Sequence, residues 1–407
     1  MTHGHSHRGG DSAPETVEVS RLPRAVLLGF LLASLFATVV GTFALWPDAD
    51  ELEDLRGEVS FAADGVTFPR ADVVEVAPAC ASLNDPPQGC GTLTVRVAEG
   101  VDAGAETEIP VPPEVTNARL APGDQVQLIR SPSIEGEPAQ FGYYGIERDR
   151  PLALLAALFA LVVVVVARWR GVMALVGLGV AGAVLGYFVV PGLVTGESPL
   201  LVVLVGSCLI MYVVLYSTHG FSMRTSSALA GTLGGVALTA FIGSWAVRSS
   251  HLTGVVDEAG GLLTSVAFGL NFQELLVASV VIAGLGILND VTITQASAVW
   301  ELRAAAPTLT RRVLFARAMR IGRDHVASTI YTIVFAYAGA ALLVLLVVAL
   351  FNRPLLDLMA TEEISTELVR SFATSIGLVL AMPLTTAIAV ATVPGPQAAP
   401  DQTAATG

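Results

Sequence analysis

The chain has 407 residues, of which 53% are hydrophobic and 14% are charged. Its mean hydropathy is +0.67, a value typical of an integral membrane protein. The formal net charge is −13, and residues 47–150 alone hold 20 acidic residues against 7 arginines. Because the chain contains no basic domain, its composition argues against a nucleic-acid-binding protein.

Eight segments are predicted to cross the membrane, since each reaches or approaches the length of about 20 residues that a span needs. They are residues 25–46, 151–167, 171–196, 198–223, 225–247, 272–291, 326–352 and 371–393. The first is predicted to be a signal anchor, because its apolar region is too long for a signal peptide and Pro47 replaces a cleavage site.

The distribution of arginine predicts the orientation. Loops after the second, fourth and sixth spans carry Arg168 and Arg170, then Arg224, then six arginines between 303 and 323, whereas the intervening loops are mainly acidic. The positive-inside rule therefore predicts that both termini are cytosolic. Residues 1–24 and 394–407 are predicted to be disordered cytosolic tails, and residues 151–393 to be a seven-helix transmembrane domain.

Residues 47–150 are predicted to form an acidic extracytoplasmic β-domain. Short β-favouring runs at 73–76, 92–97, 108–111, 125–129 and 141–146 are separated by turn residues rich in Gly, Pro and Asp. Five strands in about a hundred residues favour a small antiparallel barrel, OB-like or SH3-like. Cys80 and Cys90 both lie in this domain, and outside the cytosol they are predicted to form a disulfide.

The glycine motifs of the chain indicate helix packing, and the common nucleotide-binding and catalytic motifs are absent from the sequence. Residues 177–182 read GLGVAG and match GxGxxG, but they lie inside an apolar span without a preceding strand, so dinucleotide binding is rejected. Gly182 with Gly186, and Gly231 with Gly235, are interpreted instead as small faces for close helix packing. The sequence has no Walker loop, HExxH, CxxC pair or nucleophile elbow, so we expect no enzyme; the sequence leaves the cofactor and any bound metal unknown.

The sixth span carries a polar interruption. An apolar run leads into Asn289 and Asp290, and Asp290, Thr294 and Ser297 follow helical spacing on one face. One interpretation is a helix broken at Gly284 and Gly286, as in transporters whose broken helices bind ions. The alternative is a span that ends near residue 291, followed by a capped cytosolic helix.

The next span begins with a second group of polar residues, Asp324 and His325, and His219 is predicted to lie at the same membrane level. The candidate substrate or ion site therefore consists of His219, Asn289, Asp290, Thr294, Ser297, Asp324 and His325. Such a layer could relay protons or bind a divalent cation. It could equally be an interfacial collar of helix caps and ion pairs.

Two segments have predicted interfacial roles. Residues 311–323 form a basic amphipathic helix, expected to lie on anionic lipid of the bilayer surface. Residues 262–270 are too short to cross, and the sequence leaves open whether they are re-entrant or lie on the surface. Beyond lipid, the partner candidates are an envelope protein at the β-domain and a second copy of the chain.

Four ordered motifs carry a family resemblance. Residues 289–302 read NDVTITQASAVWEL and closely resemble the signature stretch of the YibE/F-like family of bacterial multi-pass membrane proteins. The three further motifs similar to this family are THGF at 218–221 together with ALAGT at 228–232, GRDH at 322–325 together with YTIVFAY at 331–337, and PLTT at 383–386. The resemblance covers roughly residues 126–390. It implies a multi-pass protein of the bacterial plasma (inner) membrane, and it implies no particular biochemical activity. Asn289 stands where the resemblance leads us to expect an acidic residue, which would reduce a paired-carboxylate site to one carboxylate.

Two functions are compatible with these features. The first is a secondary transporter or channel-like permease for a small solute or ion, with the polar layer as its gate or binding site. The alternative is a non-transporting scaffold or receptor whose β-domain binds an envelope partner.

Overall fold

The computed structural model describes residues 21–58, 62–80, 90–133, 138–256, 258–266, 269–350, 354, 357 and 359–397. These residues belong to two compact units. One contains residues 55–166, and the other combines residues up to 54 with those from 167 onward. The predicted N-terminal tail before Arg21 and the last ten residues lie outside the described residues.

The smaller unit contains a five-stranded antiparallel sheet with the order β3-β2-β1-β4-β5. Its strands are β1 (Arg70–Val76), β2 (Thr92–Val97), β3 (Glu106–Pro110), β4 (Gln125–Ser131) and β5 (Gln140–Ile146). All five predicted strands are confirmed. The sheet is curled, and the edge strands β3 and β5 approach each other.

Alternation of side chains explains why this sheet has a core. In β2 the residues Leu93, Val95 and Val97 point inward and are buried, while the residues between them are half-buried or exposed. They pack against buried aliphatic residues from β1, β3 and β4. The predicted disulfide is present between Cys80 and Cys90, at the two ends of the segment 81–89, which lies outside the described residues.

The remaining described elements are helical. They are α1 (Arg21–Ala44), α2 (Ala49–Glu58), α3 (Pro113–Thr116), α4 (Asp149–Val184), a π-helical turn (Leu185–Val189), α5 (Val190–Val194), α6 (Pro199–His219), α7 (Met223–Ser249), α8 (Glu258–Val266), α9 (Phe272–Ala305), α10 (Arg311–Ala340), α11 (Leu342–Leu350) and α12 (Glu362–Thr392). Polar side chains cap several helix starts. Asn271 accepts a hydrogen bond from the backbone N–H of Glu274 at the start of α9, and Ser222 accepts one from the N–H of Thr225 at the start of α7.

Six helices in the described part of the chain are long and apolar enough to cross a membrane. They are Arg21–Ala44, Asp149–Val194, Pro199–His219, Met223–Ser249, Phe272–Ala305 and Glu362–Thr392. The second has 46 residues, long enough for two spans, and its backbone leaves helical geometry at Arg168, where φ is 54°. The predicted span 326–352 is divided between α10 and α11 by a turn at Ala341. The count of eight spans therefore stays a prediction.

Helices α7, α9 and α12 form the centre of the larger unit, and small residues allow them to approach closely. A Cβ atom added at Gly235 would lie 2.9 Å from the Cβ of Ala381, so the predicted packing role of Gly231 and Gly235 is confirmed. The same prediction is wrong for Gly182 and Gly186. Within the described residues, no atom lies within 4 Å of a Cβ built at either position, because that side of the kinked helix is open.

Candidate functional site

The sixth predicted span is a single uninterrupted helix, α9, of 34 residues. The predicted break at Gly284 and Gly286 is therefore wrong, and so is the alternative of a new helix capped near residue 291. Gly284 has a packing role: a Cβ there would lie 3.1 Å from the Cγ2 of Thr374 on α12. Gly286 remains helical and faces a cavity. Gly284 thus allows close approach of α12, Gly286 lines the cavity, and neither glycine bends the helix.

Continuity of α9 decides where its polar side chains point. Thr292 and Gln295 are fully buried, whereas Asp290 and Thr294 are exposed and Ser297 is half-buried. The predicted polar face is thus a largely exposed face of the helix. The buried polar residues lie on the opposite side, where Thr292 shares a 2.6 Å hydrogen bond with Thr232 of α7.

Two residues of the candidate site meet across helices. The Nε2 atom of His325 on α10 lies 3.7 Å from the Oδ2 atom of Asp290 on α9. At this distance the contact is electrostatic and too long for a hydrogen bond. The His325 side chain is 34% exposed and that of Asp290 is 69% exposed, so the pair lies at the edge of the bundle, although the Nε2 atom of His325 itself is buried without a hydrogen-bond partner.

The remaining members of the predicted layer do not join this pair. His219 is exposed at the end of α6, and the charged side chains that act on it are Arg224 and Arg170. Asp324 is exposed, and its carboxylate has no recorded ion pair within the described ranges. No group of three His, Cys, Asp or Glu side chains suited to a metal ion occurs in the described part of the chain. The four-group layer is therefore reduced to the contact between Asp290 and His325.

Asn289 lies beside a different feature, a cavity of about 330 Å³ between α4, α6 and α9. Its walls are mainly aliphatic, with Ser207 of α6 as the other polar residue, and Leu185 and Val189 of the π-helical turn also line it. The Oδ1 atom of Asn289 is buried and has no hydrogen-bond partner. Turns of π-helix occur frequently at functional sites. The cavity thus has an apolar wall and one unsatisfied acceptor.

Two further sets of polar residues in the structure were not predicted from the sequence. Gln295 is 2% exposed, and its Nε2 donates to the carbonyl of Ala318 on α10 (3.0 Å) and to the hydroxyl of Thr386 on α12 (2.8 Å). Glu367 and Arg370 form an ion pair of 2.7 Å on α12, at positions interpreted as a loop. The i,i+3 spacing of opposite charges just before an apolar run was the available signal.

Comparison with known proteins identifies the family. The sequence model of a family described as YibE/F-like protein matches residues 155–395, which is more than half of the chain. The chain belongs to the YibE/F-like family. No curated protein and no solved structure matches it. All candidate site residues lie within the YibE/F-like match, whereas the β-sheet precedes it, so the resemblance begins later than the predicted residue 126. Family membership together with the apolar helices indicates a membrane protein.

Proposed function

We propose that this YibE/F-like protein is a permease, a secondary transporter or channel-like protein, for a small solute or ion. One observation carries the proposal: Asp290 and His325 from two helices meet at 3.7 Å, and Asp290 directly follows Asn289, which lines the cavity between α4, α6 and α9. Ionisable residues on spanning helices are costly and mark substrate or ion pathways in membrane proteins. Histidine and carboxylate side chains that face each other between helices are recurrent parts of ion and proton pathways, so the pair suits a gate between α9 and α10. We propose no catalytic role.

The proposed orientation has the termini in the cytosol of a bacterium and the β-domain outside. Packing at one end of the bundle supports it. Thr392 near the end of α12 shares a 2.9 Å hydrogen bond with Ser227 of α7, and the N–H of Gln397 donates to the carbonyl of Pro307 between α9 and α10 (2.9 Å). These contacts bring the start of α7, next to Arg224, and the arginine-rich connection between α9 and α10 to one end, as the positive-inside rule requires of the cytosolic side.

The proposed lipid contact is supported by the first half of α10. Its inner face is buried through Leu314 and Ala318, while Val313 and Ile321 remain 41% and 46% exposed among exposed arginines. An exposed apolar strip flanked by cations suits the interface of an anionic leaflet. A second copy of the chain remains a partner candidate.

The permease is tested by osmotic swelling of vesicles that contain the purified full chain, with glycerol, glycine, acetamide and potassium chloride as solutes. We expect at least one solute to enter faster than in empty vesicles. Asp290→Asn should abolish that flux, because it removes the charge facing His325. Glu301→Gln changes another exposed carboxylate on the same helix and should leave the flux unchanged.

The flux comparison has a clear refuting result. Equal flux through the wild-type protein and Asp290→Asn, with equal amounts of protein in the vesicles, would exclude the pair as the gate. A loss of flux in both variants would indicate a general charge effect on the vesicles and would equally contradict the proposal.

The alternative function, a scaffold or receptor for an envelope partner, is favoured by one feature of the β-domain. A polar cavity of about 440 Å³ lies where β4 and β5 meet the start of α4, lined by Arg70, Asp124, Arg148 and Arg150 among others. The curled five-stranded sheet with a short helix between β3 and β4 supports an OB-like rather than an SH3-like fold, and OB-folds commonly carry binding surfaces. Under this alternative, substitutions that fill this cavity should abolish partner binding, whereas Asp290→Asn should not.

A further inference from the structure

A second charged cluster lies far along the same helices from Asp290. Glu367 and Arg370 face each other on α12, and their side chains are 27% and 25% exposed. The Nη2 atom of Arg370 also donates to the hydroxyl of Ser279 on α9 (3.4 Å). Tyr337 of α10 is close enough to interact electrostatically with both charges. Three helices therefore contribute to one polar cluster, called here the Glu367–Arg370 cluster.

Both charged members of this cluster keep one unsatisfied atom. The Oε2 atom of Glu367 and the Nε atom of Arg370 are buried without a hydrogen-bond partner. The two charges pair with each other, so what is left unsatisfied is one atom of each group, and a buried polar atom without a hydrogen bond costs free energy. The cluster can therefore accept one further hydrogen bond at Glu367 and donate one further hydrogen bond from Arg370.

The chemistry of these two atoms restricts what can bind. A bare cation would meet the guanidinium of Arg370, and a bare anion would meet the carboxylate of Glu367, so either is opposed by a like charge. A compact group that both donates and accepts a hydrogen bond satisfies both atoms together. Amides and amino–carboxylate zwitterions have this property, and hydrogen bonds to charged groups are the stronger kind.

We propose that the Glu367–Arg370 cluster binds a small zwitterionic or amide solute. The proposal rests on the proposed permease, whose substrate class and second binding position it supplies. Helix α9 carries Ser279 at this cluster and Asp290 at the other site, and α10 carries Tyr337 and His325 in the same way. At 1.5 Å rise per residue, the two positions are separated by roughly 16–18 Å along these helices. This is about half the hydrocarbon thickness of a bilayer.

The test measures thermal unfolding of the purified full chain with added probes at matched ionic strength. Glycine and acetamide are the probes that donate and accept, and acetate, methylammonium and sodium chloride are the controls. We expect glycine or acetamide to raise the unfolding temperature, because a ligand bound only to the native state stabilises it, and we expect the three controls to leave it unchanged. In Glu367→Gln or Arg370→Gln the apparent affinity should fall roughly 10- to 100-fold, the usual effect of losing a hydrogen bond to a charged group.

Glu363→Gln is the matched control, because Glu363 is an exposed carboxylate one turn away on α12, and this variant should respond like the wild type. If the charge variants do not fold, Ser279→Ala replaces them, since it removes only the α9 hydroxyl, and it should weaken binding several-fold. Stabilisation by no probe, which means water alone fills the cluster, would overturn the proposal. Equal stabilisation by sodium chloride or acetate would overturn it as well.

These experiments can refute the solute-binding proposal and the permease proposal independently. Probe binding without flux would leave the Glu367–Arg370 cluster as a binding site and remove the permease. Flux that depends on Asp290, together with absence of binding, would leave the permease and remove the assigned solute class.

Discussion

Replacement of Gly231 by alanine tests the close packing of α7 against α12. A Cβ atom at position 231 would lie 2.8 Å from the Cβ of Thr385, and the Thr385 hydroxyl would be closer still. Rotation of the Thr385 side chain about χ1 moves its hydroxyl and methyl groups but not its Cβ, so it cannot remove the overlap between the two Cβ atoms. The hydroxyl is moreover held by a 2.7 Å hydrogen bond to the carbonyl of Ala381. One helix backbone must therefore move away from the other.

The magnitude follows from two opposing terms. Forcing an extra methyl into a packed core costs about 1–3 kcal/mol. Alanine in place of glycine inside a helix returns about 1 kcal/mol of helix propensity. The variant Gly182→Ala receives the same propensity gain, and nothing lies within 4 Å of its added Cβ. The difference between the two variants isolates the packing term and should be about 1–3 kcal/mol.

Thermal unfolding of both purified variants in the same detergent provides the measurement. At roughly 2–4 °C per kcal/mol for a domain of this size, Gly231→Ala should unfold several degrees below Gly182→Ala. Equal unfolding temperatures would show that α7 and α12 are not in the close contact described. A lower temperature for Gly182→Ala would contradict the open environment of that helix face.

Three further predictions address other parts of the molecule. Gln295→Leu should destabilise the chain by about 1–3 kcal/mol in thermal unfolding, because it removes the buried hydrogen bond to Thr386, and unchanged stability would contradict this. Replacing Cys80 and Cys90 by serine should weaken the β-domain by roughly 2–3 kcal/mol, seen as faster proteolysis of that domain with the helices unaffected. Arg303→Met should speed hydrogen exchange in the loop 306–310 roughly tenfold or more, because the buried guanidinium hydrogen-bonds two carbonyls there; exchange as slow as in the wild type would refute that role.

Local patterns predicted the β-domain well, because each strand alternates within itself and its turns carry their own residue signals. The failure at Gly284 and Gly286 has a different origin. Glycine permits a bend, and it equally permits close approach of another helix, so the residue alone cannot distinguish the two roles. Only the position of Thr374 on α12 decides the matter. In the same way Gly182 and Gly231 have identical local signals and opposite environments.

Only part of the candidate site could be predicted from the sequence, and the reason is related. Spacing along a helix assigns residues to a face, but it does not state which neighbouring helix that face meets. Asp290 and His325 were correctly placed near one another because both begin or end predicted spans at the same level. His219 satisfied the same criterion and lies among arginines instead. The Glu367–Arg370 cluster was missed because its charges, read as a loop, belong to a helix.

The arrangement of polar groups links the two proposed binding positions through one helix. The core of α7, α9 and α12 is joined by glycines and threonines at distances that leave little room for sliding, as the neighbours of Gly231 and Gly377 demonstrate. Helix α10 contributes His325 to one position and Tyr337 to the other, and much of its surface is exposed. The other face of α10 is held to this core, since the carbonyl of Ala318 accepts a hydrogen bond from Gln295 and a Cβ added at Gly322 would meet the side chain of Met382. The packing of α10 against α9 and α12 therefore fixes both positions relative to the core.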